Sequence, residues 1–194
     1  MASGEVLGLL GPGAHSEADN LLRFGYLRCS LGLALVAVRQ SGLAAVLLGE
    51  ERGELEAELT RRFPGCAVEA AEVRLAPLLE ALTRCLEDPR QPAPLPLAPI
   101  GTPFQLSVWQ ALLNIPPGQT MSYGALAQAL GNPRAVRAVA AACGANPLAV
   151  LVPCHRVIAS NGALTGYRWG LERKRTLLER ESGAILPFEP QSGP

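Results

Sequence analysis

The stretch Leu151-Val152-Pro153-Cys154-His155-Arg156-Val157 decides how the rest of the chain is read. It sets a thiol and an imidazole on adjacent residues, directly after an apolar run. A free cysteine with a pKa near 8.5 is only about 3% thiolate at neutral pH. It needs a neighbouring base or cation to become a ready nucleophile. His155 is the natural base, Arg156 adds a fixed positive charge, and Pro153 stiffens the entry to the loop. A cysteine alone most often packs as a small apolar residue. The histidine beside this one favours chemistry.

Upstream, Ala149 to Val152 reads as a buried strand delivering Cys154, after a turn at Asn146-Pro147. Three helical segments precede it: Phe104 to Asn114, Tyr123 to Leu130 with Ser122 as its cap, and Arg134 to Cys143 closed by Gly144. The last two, joined by Gly131-Asn132-Pro133, form a helix-turn-helix pattern. In the 134–143 helix, Val136, Val139, Ala140 and Cys143 follow the spacing of a core face, while Arg134 and Arg137 lie on another side. Its alanines leave little bulk, so it can approach another polymer closely, and the arginines suit phosphate or base contacts. Downstream of Cys154, Leu171 to Ser182 reads as a closing helix with Leu177 and Leu178 inward.

The first half has another texture. Arg23–Cys29, Gly32–Val38 and Leu43–Leu48 are short apolar runs split by turn residues, the pattern of an antiparallel meander. Glu50–Phe63 and Glu72–Leu86 carry helical apolar spacing, the second with Val73 in its stripe, and Ala67–Ala70 adds a short extended piece. Six prolines between Asp88 and Pro103 predict an extended connector. The expected organisation is a weakly ordered leader at 1–20, an N-terminal domain at 21–88, a connector at 89–103, a second domain at 104–182 and a tail at 183–194.

At 194 residues the chain can bury a sizeable core. No run approaches the roughly 18 apolar residues of a membrane span, and Met1 to Glu5 lacks the basic start of a secretory signal. The five cysteines, odd in number and without a C-x-x-C pair, point to a reducing, cytoplasmic setting. The zero net charge hides an asymmetry. Residues 1–100 hold nine arginines against thirteen acids; residues 101–194 hold eight basic residues against four acids. A basic half suggests an acidic partner such as nucleic acid. His15, Cys29, Cys66 and Cys85 show no paired ligand spacing, so no metal is expected.

The residues around Cys154 resemble a known family. Pro153-Cys154-His155-Arg156-Val157 is similar to the acceptor-cysteine signature of the O6-alkylguanine-DNA alkyltransferases. The resemblance extends over Phe104-Gln105, Val108 to Leu112, Ser122-Tyr123, Gly131-Asn132-Pro133, Arg137-Ala138-Val139, Asn146-Pro147, Gly166 to Gly170 and Leu177-Leu178. It is closest to the alkyltransferase half of the bacterial Ada type, without that type's metal-binding regulatory half. It implies an α+β two-domain fold: a ribonuclease-H-like N-terminal domain, then a helical winged helix-turn-helix domain. It implies a single-use transfer of an alkyl group from O6 of guanine, and from O4 of thymine, to Cys154, with no cofactor. The partner is double-stranded DNA, held through its minor groove by the 134–143 helix of a monomeric, nucleoid-associated protein (nuclear if the source is eukaryotic).

The resemblance also implies roles. His155 acts as base, through a water, with Glu181 orienting it; Tyr123 donates to the departing guanine; Asn146 ties the helix-turn-helix to the active-site loop. The main chain from Cys154 to Val157 reads the guanine edge, Tyr167 and Arg168 line the pocket, and Arg137, beside Arg134, enters the stack left by a flipped nucleotide. Trp169 beside the pocket and Ala149 in place of a proline favour methyl over benzyl-sized groups. The rivals are a Cys-His hydrolase, which would turn over, and a non-catalytic reader of alkylated DNA or a transcription regulator, which needs no thiol.

Overall fold

The computed structural model describes residues 20–91 and 93–182. All of the leader except Asn20, and the whole tail, lie outside the described residues. The fold is α+β. Strands β1 (Leu21–Cys29), β2 (Gly32–Arg39) and β3 (Gly42–Gly49) form the predicted meander, and β4 (Ala67–Ala70) pairs parallel to β1. The strand order is β3-β2-β1-β4. Helix α1 (Arg52–Arg62) packs on β2 and β3, and α2 (Glu72–Glu87) on β1. Val73 does not join the apolar stripe of α2 and is 92% exposed, because it lies on the solvent side of the first turn.

β3 is an edge strand, yet every residue from Gly42 to Leu48 is buried. Two later segments cover that edge. Leu97 of the proline-rich connector bridges to Leu43, with Leu43 N–H donating to Pro96 O at 2.9 Å and Ala98 N–H to Leu43 O at 2.7 Å. Leu148 bridges to Val46. The close approach needs Gly42: at its φ of 143°, a Cβ would stand 2.2 Å from Pro96 O. The connector is therefore extended, as the prolines predict, and also docked on the sheet.

The second half is helical. Helix α3 (Pro103–Leu113) takes Pro103 into its first turn, where its fixed φ and missing donor are tolerated. Thr102 and Gln105 cap it reciprocally. Phe104 faces outward rather than into the core, being 37% exposed. Trp109 is buried and donates to Ala142 O at 2.8 Å, tying α3 to α5 (Val136–Ala145). Helix α4 (Tyr123–Ala129) is capped by Ser122, whose hydroxyl accepts from Ala125 N–H at 3.1 Å. Two-residue strands β5 (Met121–Ser122) and β6 (Val157–Ile158) pair in parallel, and α6 (Leu171–Ser182) closes the chain. One continuous core runs from the sheet into the helices. No described helix is long and apolar enough to cross a membrane.

Candidate active site

The buried strand expected at Ala149–Val152 does not form. Its only sheet contact is the bridge to β3, with Val46 N–H donating to Pro147 O at 2.8 Å and Ala149 N–H to Val46 O at 3.0 Å. The remaining hydrogen bonds turn inward: Leu151 N–H to Ala149 O at 2.8 Å, Val152 N–H to Leu148 O at 3.0 Å, and Cys154 N–H to Val152 O at 2.8 Å. Asn146 takes the place of a strand partner. Its amide nitrogen donates to Val152 O at 2.8 Å and to Cys154 Sγ at 3.3 Å, and its oxygen accepts from Leu148 N–H at 2.9 Å. Val150 sits at φ 69°. A β-branched residue there costs roughly 1–3 kcal/mol and persists only where its surroundings dictate it.

Cys154 opens a short 3-10 turn, Cys154–Arg156, and is 4% exposed. Burial pushes its thiol up, while the Asn146 hydrogen bond and the charge of Lys174 pull the other way without winning. The resting thiol is therefore protonated and requires a base. His155 is fully buried, with Nε2 2.9 Å from Glu181 Oε1. Its burial lowers its pKa and outweighs the pull of Glu181, so the ring is neutral. With a carboxylate as partner, Nε2 carries the hydrogen. Nδ1 is then an acceptor, and it is buried without a hydrogen-bond partner among the described residues.

Glu181 also holds a cation. Arg156 Nε donates to both of its oxygens at 3.1 and 3.0 Å, and Nη2 to Oε1 at 2.7 Å. Arg156 also reaches Ile115 O at 2.5 Å and Pro89 O at 3.4 Å. Its charge is committed inside the fold, where it ties the connector, the end of α3 and α6 to the active-site turn. Burial pushes the Glu181 carboxyl up, but the hydrogen bonds from His155 and Arg156 outweigh it and hold the group at about 2.

In front of the sulfur lies a cavity of about 480 Å³, lined by Tyr123, Ala140, Cys143, Gly144, Cys154, Gly166, Tyr167 and Arg168. The Tyr123 hydroxyl lies 3.3 Å from Thr165 O and Gly166 O, and burial, then Cys143 and Cys154, raise its pKa to about 12. It stays a donor. Tyr167 packs edge-on to His155 with ring centroids 6.5 Å apart, and its hydroxyl is buried without a partner among the described residues. Trp169 and Ala149 are not at the wall. Trp169 lies under the Arg62 guanidinium, 5.5 Å from its ring centre, and Ala149 is fully buried on the β3 edge. Neither can limit the size of a bound alkyl group by direct contact.

The structure thus gathers Cys154, His155, Glu181, Asn146, Tyr123, Tyr167 and Arg168 around one sulfur. Arg137 stands exposed on the first turn of α5 and Arg134 in the turn before it, outside the helix that the sequence assigned it to; neither forms an ion pair among the described residues. Val136 is exposed rather than core-facing, because α5 begins only there and is held by Val139, Ala142 and Cys143. Gly144 does not end α5, which runs to Ala145. Val157 lies outside the cavity lining: it pairs with Met121 and its carbonyl accepts from Lys174.

Lys174 is the residue that sequence reasoning missed. It is fully buried, and Nζ donates to Val157 O at 2.6 Å, Thr165 O at 2.8 Å and Gly166 O at 3.4 Å. Burial holds its amine at about 8. The signal was present: Lys174, Leu177, Leu178 and Glu181 follow i, i+3, i+4, i+7, an inward stripe with a charge at each end. Among the described residues, no group of three or more His, Cys, Asp or Glu is disposed to hold a metal, and His15 lies outside them.

Residues 103–183 match the family described as 6-O-methylguanine DNA methyltransferase, DNA binding domain. The bifunctional transcriptional activator/DNA repair enzyme Ada of Escherichia coli is 44% identical over 179 residues, 92% of this chain and 51% of that protein. An inducible methylated-DNA–protein-cysteine methyltransferase of Bacillus subtilis is 49% identical over 64% of this chain and 69% of its own length. The chain spans about half the length of the Ada proteins it matches. Mycobacterium tuberculosis OGT, solved in complex with DNA, superposes with a TM-score of 0.66 at 35% identity, over 84% of this chain and 93% of that one.

Proposed function

The chain belongs to the family of methylated-DNA–protein-cysteine methyltransferases, and we propose that it repairs duplex DNA by taking an alkyl group from O6 of guanine, or O4 of thymine, onto Cys154. The observation that carries this is the cavity floor: a protonated, buried thiol with a neutral histidine next in sequence, and a carboxylate on that histidine's far nitrogen. His155 Nδ1 takes the thiol proton through a water. The sulfur then attacks the alkyl carbon in line, so the S–C bond forms as the C–O6 bond breaks. Tyr123 turns its hydroxyl from the carbonyls of residues 165 and 166 to the departing base. The proton taken from the thiol ends on the departing base, which leaves as guanine. The thioether has no leaving group for return, so each chain acts once, and the reaction uses no cofactor.

A duplex hides O6 from a thiol at the bottom of a cavity, so the nucleotide must be flipped at a cost of a few kcal/mol. Arg137, exposed at the start of α5, is suited to fill the vacated stack, and the alanines of that helix suit a close fit in the minor groove. In this reading α4, its turn and α5 act as a winged helix-turn-helix with β5 and β6. Residues 21–88 form a ribonuclease-H-like domain, and a monomer works on DNA in the cytoplasm.

Incubation with a methylguanine duplex, followed by mass spectrometry, tests the reading. One methyl on the peptide carrying Cys154, and none in Cys154→Ser, is the expected result. Repair with an unmodified Cys154, or more than one lesion removed per chain, overturns it.

A further inference from the structure

Helix α1 belongs to the sheet half, yet two of its side chains reach the cavity's surroundings. Arg62 Nη1 donates to Ala145 O at 2.6 Å, and its Nε donates to Glu58 Oε1 at 2.7 Å. The same Glu58 oxygen accepts from Arg168 Nη2 at 2.5 Å, and Arg61 also pairs with Glu58. The Glu58 and Arg62 side chains are 11% and 14% exposed, and the Arg62 guanidinium covers Trp169.

The two partners bracket the cavity. Ala145 is the last residue of α5, whose Ala140, Cys143 and Gly144 form one wall, and it precedes the Asn146 that holds Cys154 Sγ. Arg168 lines the cavity itself. The Glu58–Arg62 pair is charge-assisted and largely shielded from water, which fixes direction better than an exposed pair, and the same carboxylate also accepts from the half-exposed Arg168. Burial, then the charges of Arg168 and Arg61, lower Arg62 to about 10, so it remains charged at neutral pH.

We propose that Glu58 and Arg62 are positioning residues for alkyl transfer, a clamp from the sheet half that sets the end of α5 and the Arg168 wall at a fixed distance from Cys154. The proposal rests on the alkyltransferase reading for its substrate but not for its geometry. Correct placement of reacting groups is worth orders of magnitude in rate, and small displacements are costly.

The test uses the full chain and Arg62→Met, which keeps an apolar stem on Trp169 but loses every donor, with Arg62→Lys and Glu58→Gln beside it. Single-turnover methyl transfer is measured against duplex concentration, each variant 20 °C below its melting point. The maximal rate of Arg62→Met is expected to fall about tenfold, with the half-saturating concentration changed less than threefold and partial rescue in Arg62→Lys. In parallel, iodoacetamide labelling should reach Cys154 at least threefold faster in Arg62→Met, with labelling of Cys85, a buried thiol in α2, unchanged. A maximal rate within twofold of the parent, a loss confined to half-saturation, or equal acceleration at Cys85 overturns the clamp. If the parent itself takes up no methyl, the alkyltransferase reading falls. The labelling ratio of Cys154 to Cys85 then still decides the clamp: a threefold rise supports it and an unchanged ratio refutes it.

Discussion

Glu181→Gln tests whether the buried carboxylate behind His155 holds the fold as well as the histidine. The side chain is fully buried and takes hydrogen bonds from His155 and Arg156. Its carboxyl falls from the ordinary 4.5 to about 2 on folding. A depressed carboxyl stabilises the fold above its unfolded pKa, and the stabilisation is lost as pH falls through the folded value. At about 1.4 kcal/mol per unit, the shift is worth about 3 kcal/mol at pH 7. Removing one member of a buried pair costs about 3–5 kcal/mol by mutation, so the two routes agree. Glutamine keeps the volume and one acceptor for His155 but leaves Arg156 with only neutral carbonyl partners at Ile115 and Pro89. Urea unfolding at pH 7 should show the variant about 3 kcal/mol less stable, a melting point about 6–12 °C lower. At pH 3 wild type has itself lost about 2 kcal/mol of this stabilisation, so the gap should narrow to about 1 kcal/mol. A variant as stable as wild type at pH 7, or a gap that does not change with pH, would refute the reasoning.

Lys174→Met leaves the carbonyls of Val157, Thr165 and Gly166 without their lysine donor, and thermal melts at pH 7.5 should show a loss of stability of about 1–3 kcal/mol. The amine has a folded pKa of about 8 against 10.5, so between those values the unfolded chain binds more protons. Wild type should therefore gain about 2 kcal/mol relative to the variant on going to pH 10. For alkyl size, Trp169→Phe should leave the ratio of methyl to benzyl transfer rates within twofold, because Trp169 is outside the cavity lining. Ala140→Leu, which adds bulk to the wall, should lower benzyl transfer about tenfold relative to methyl in single-turnover assays.

The meander, the main helices, the capping serine and the thiol–imidazole pair could all be read from local chemistry. Gly and turn residues delimit β1 to β3, apolar spacing marks the helices, and a thiol beside an imidazole needs no fold to be noticed. The charge stripe of α6, with Lys174 at one end and Glu181 at the other, is equally local. Ala149 to Val152 departs from the strand that its sequence predicts for a physical reason. A short buried apolar run has the same composition whether its backbone bonds to a strand or to itself, and here the Asn146 side chain and the single bridge to Val46 settle that choice. Arg156 could be seen as a charge but not as a buried brace on Glu181, and Arg62 could be seen only as a helix residue. Their partners lie 25 and 83 positions away. Residue type and periodicity determine which groups are present and which face they share. Only the closing of distant segments onto the β3 edge and around α6 decides which group stands beside the sulfur, because hydrogen bonds and buried charges depend on separations of a few ångströms that the order of residues does not specify.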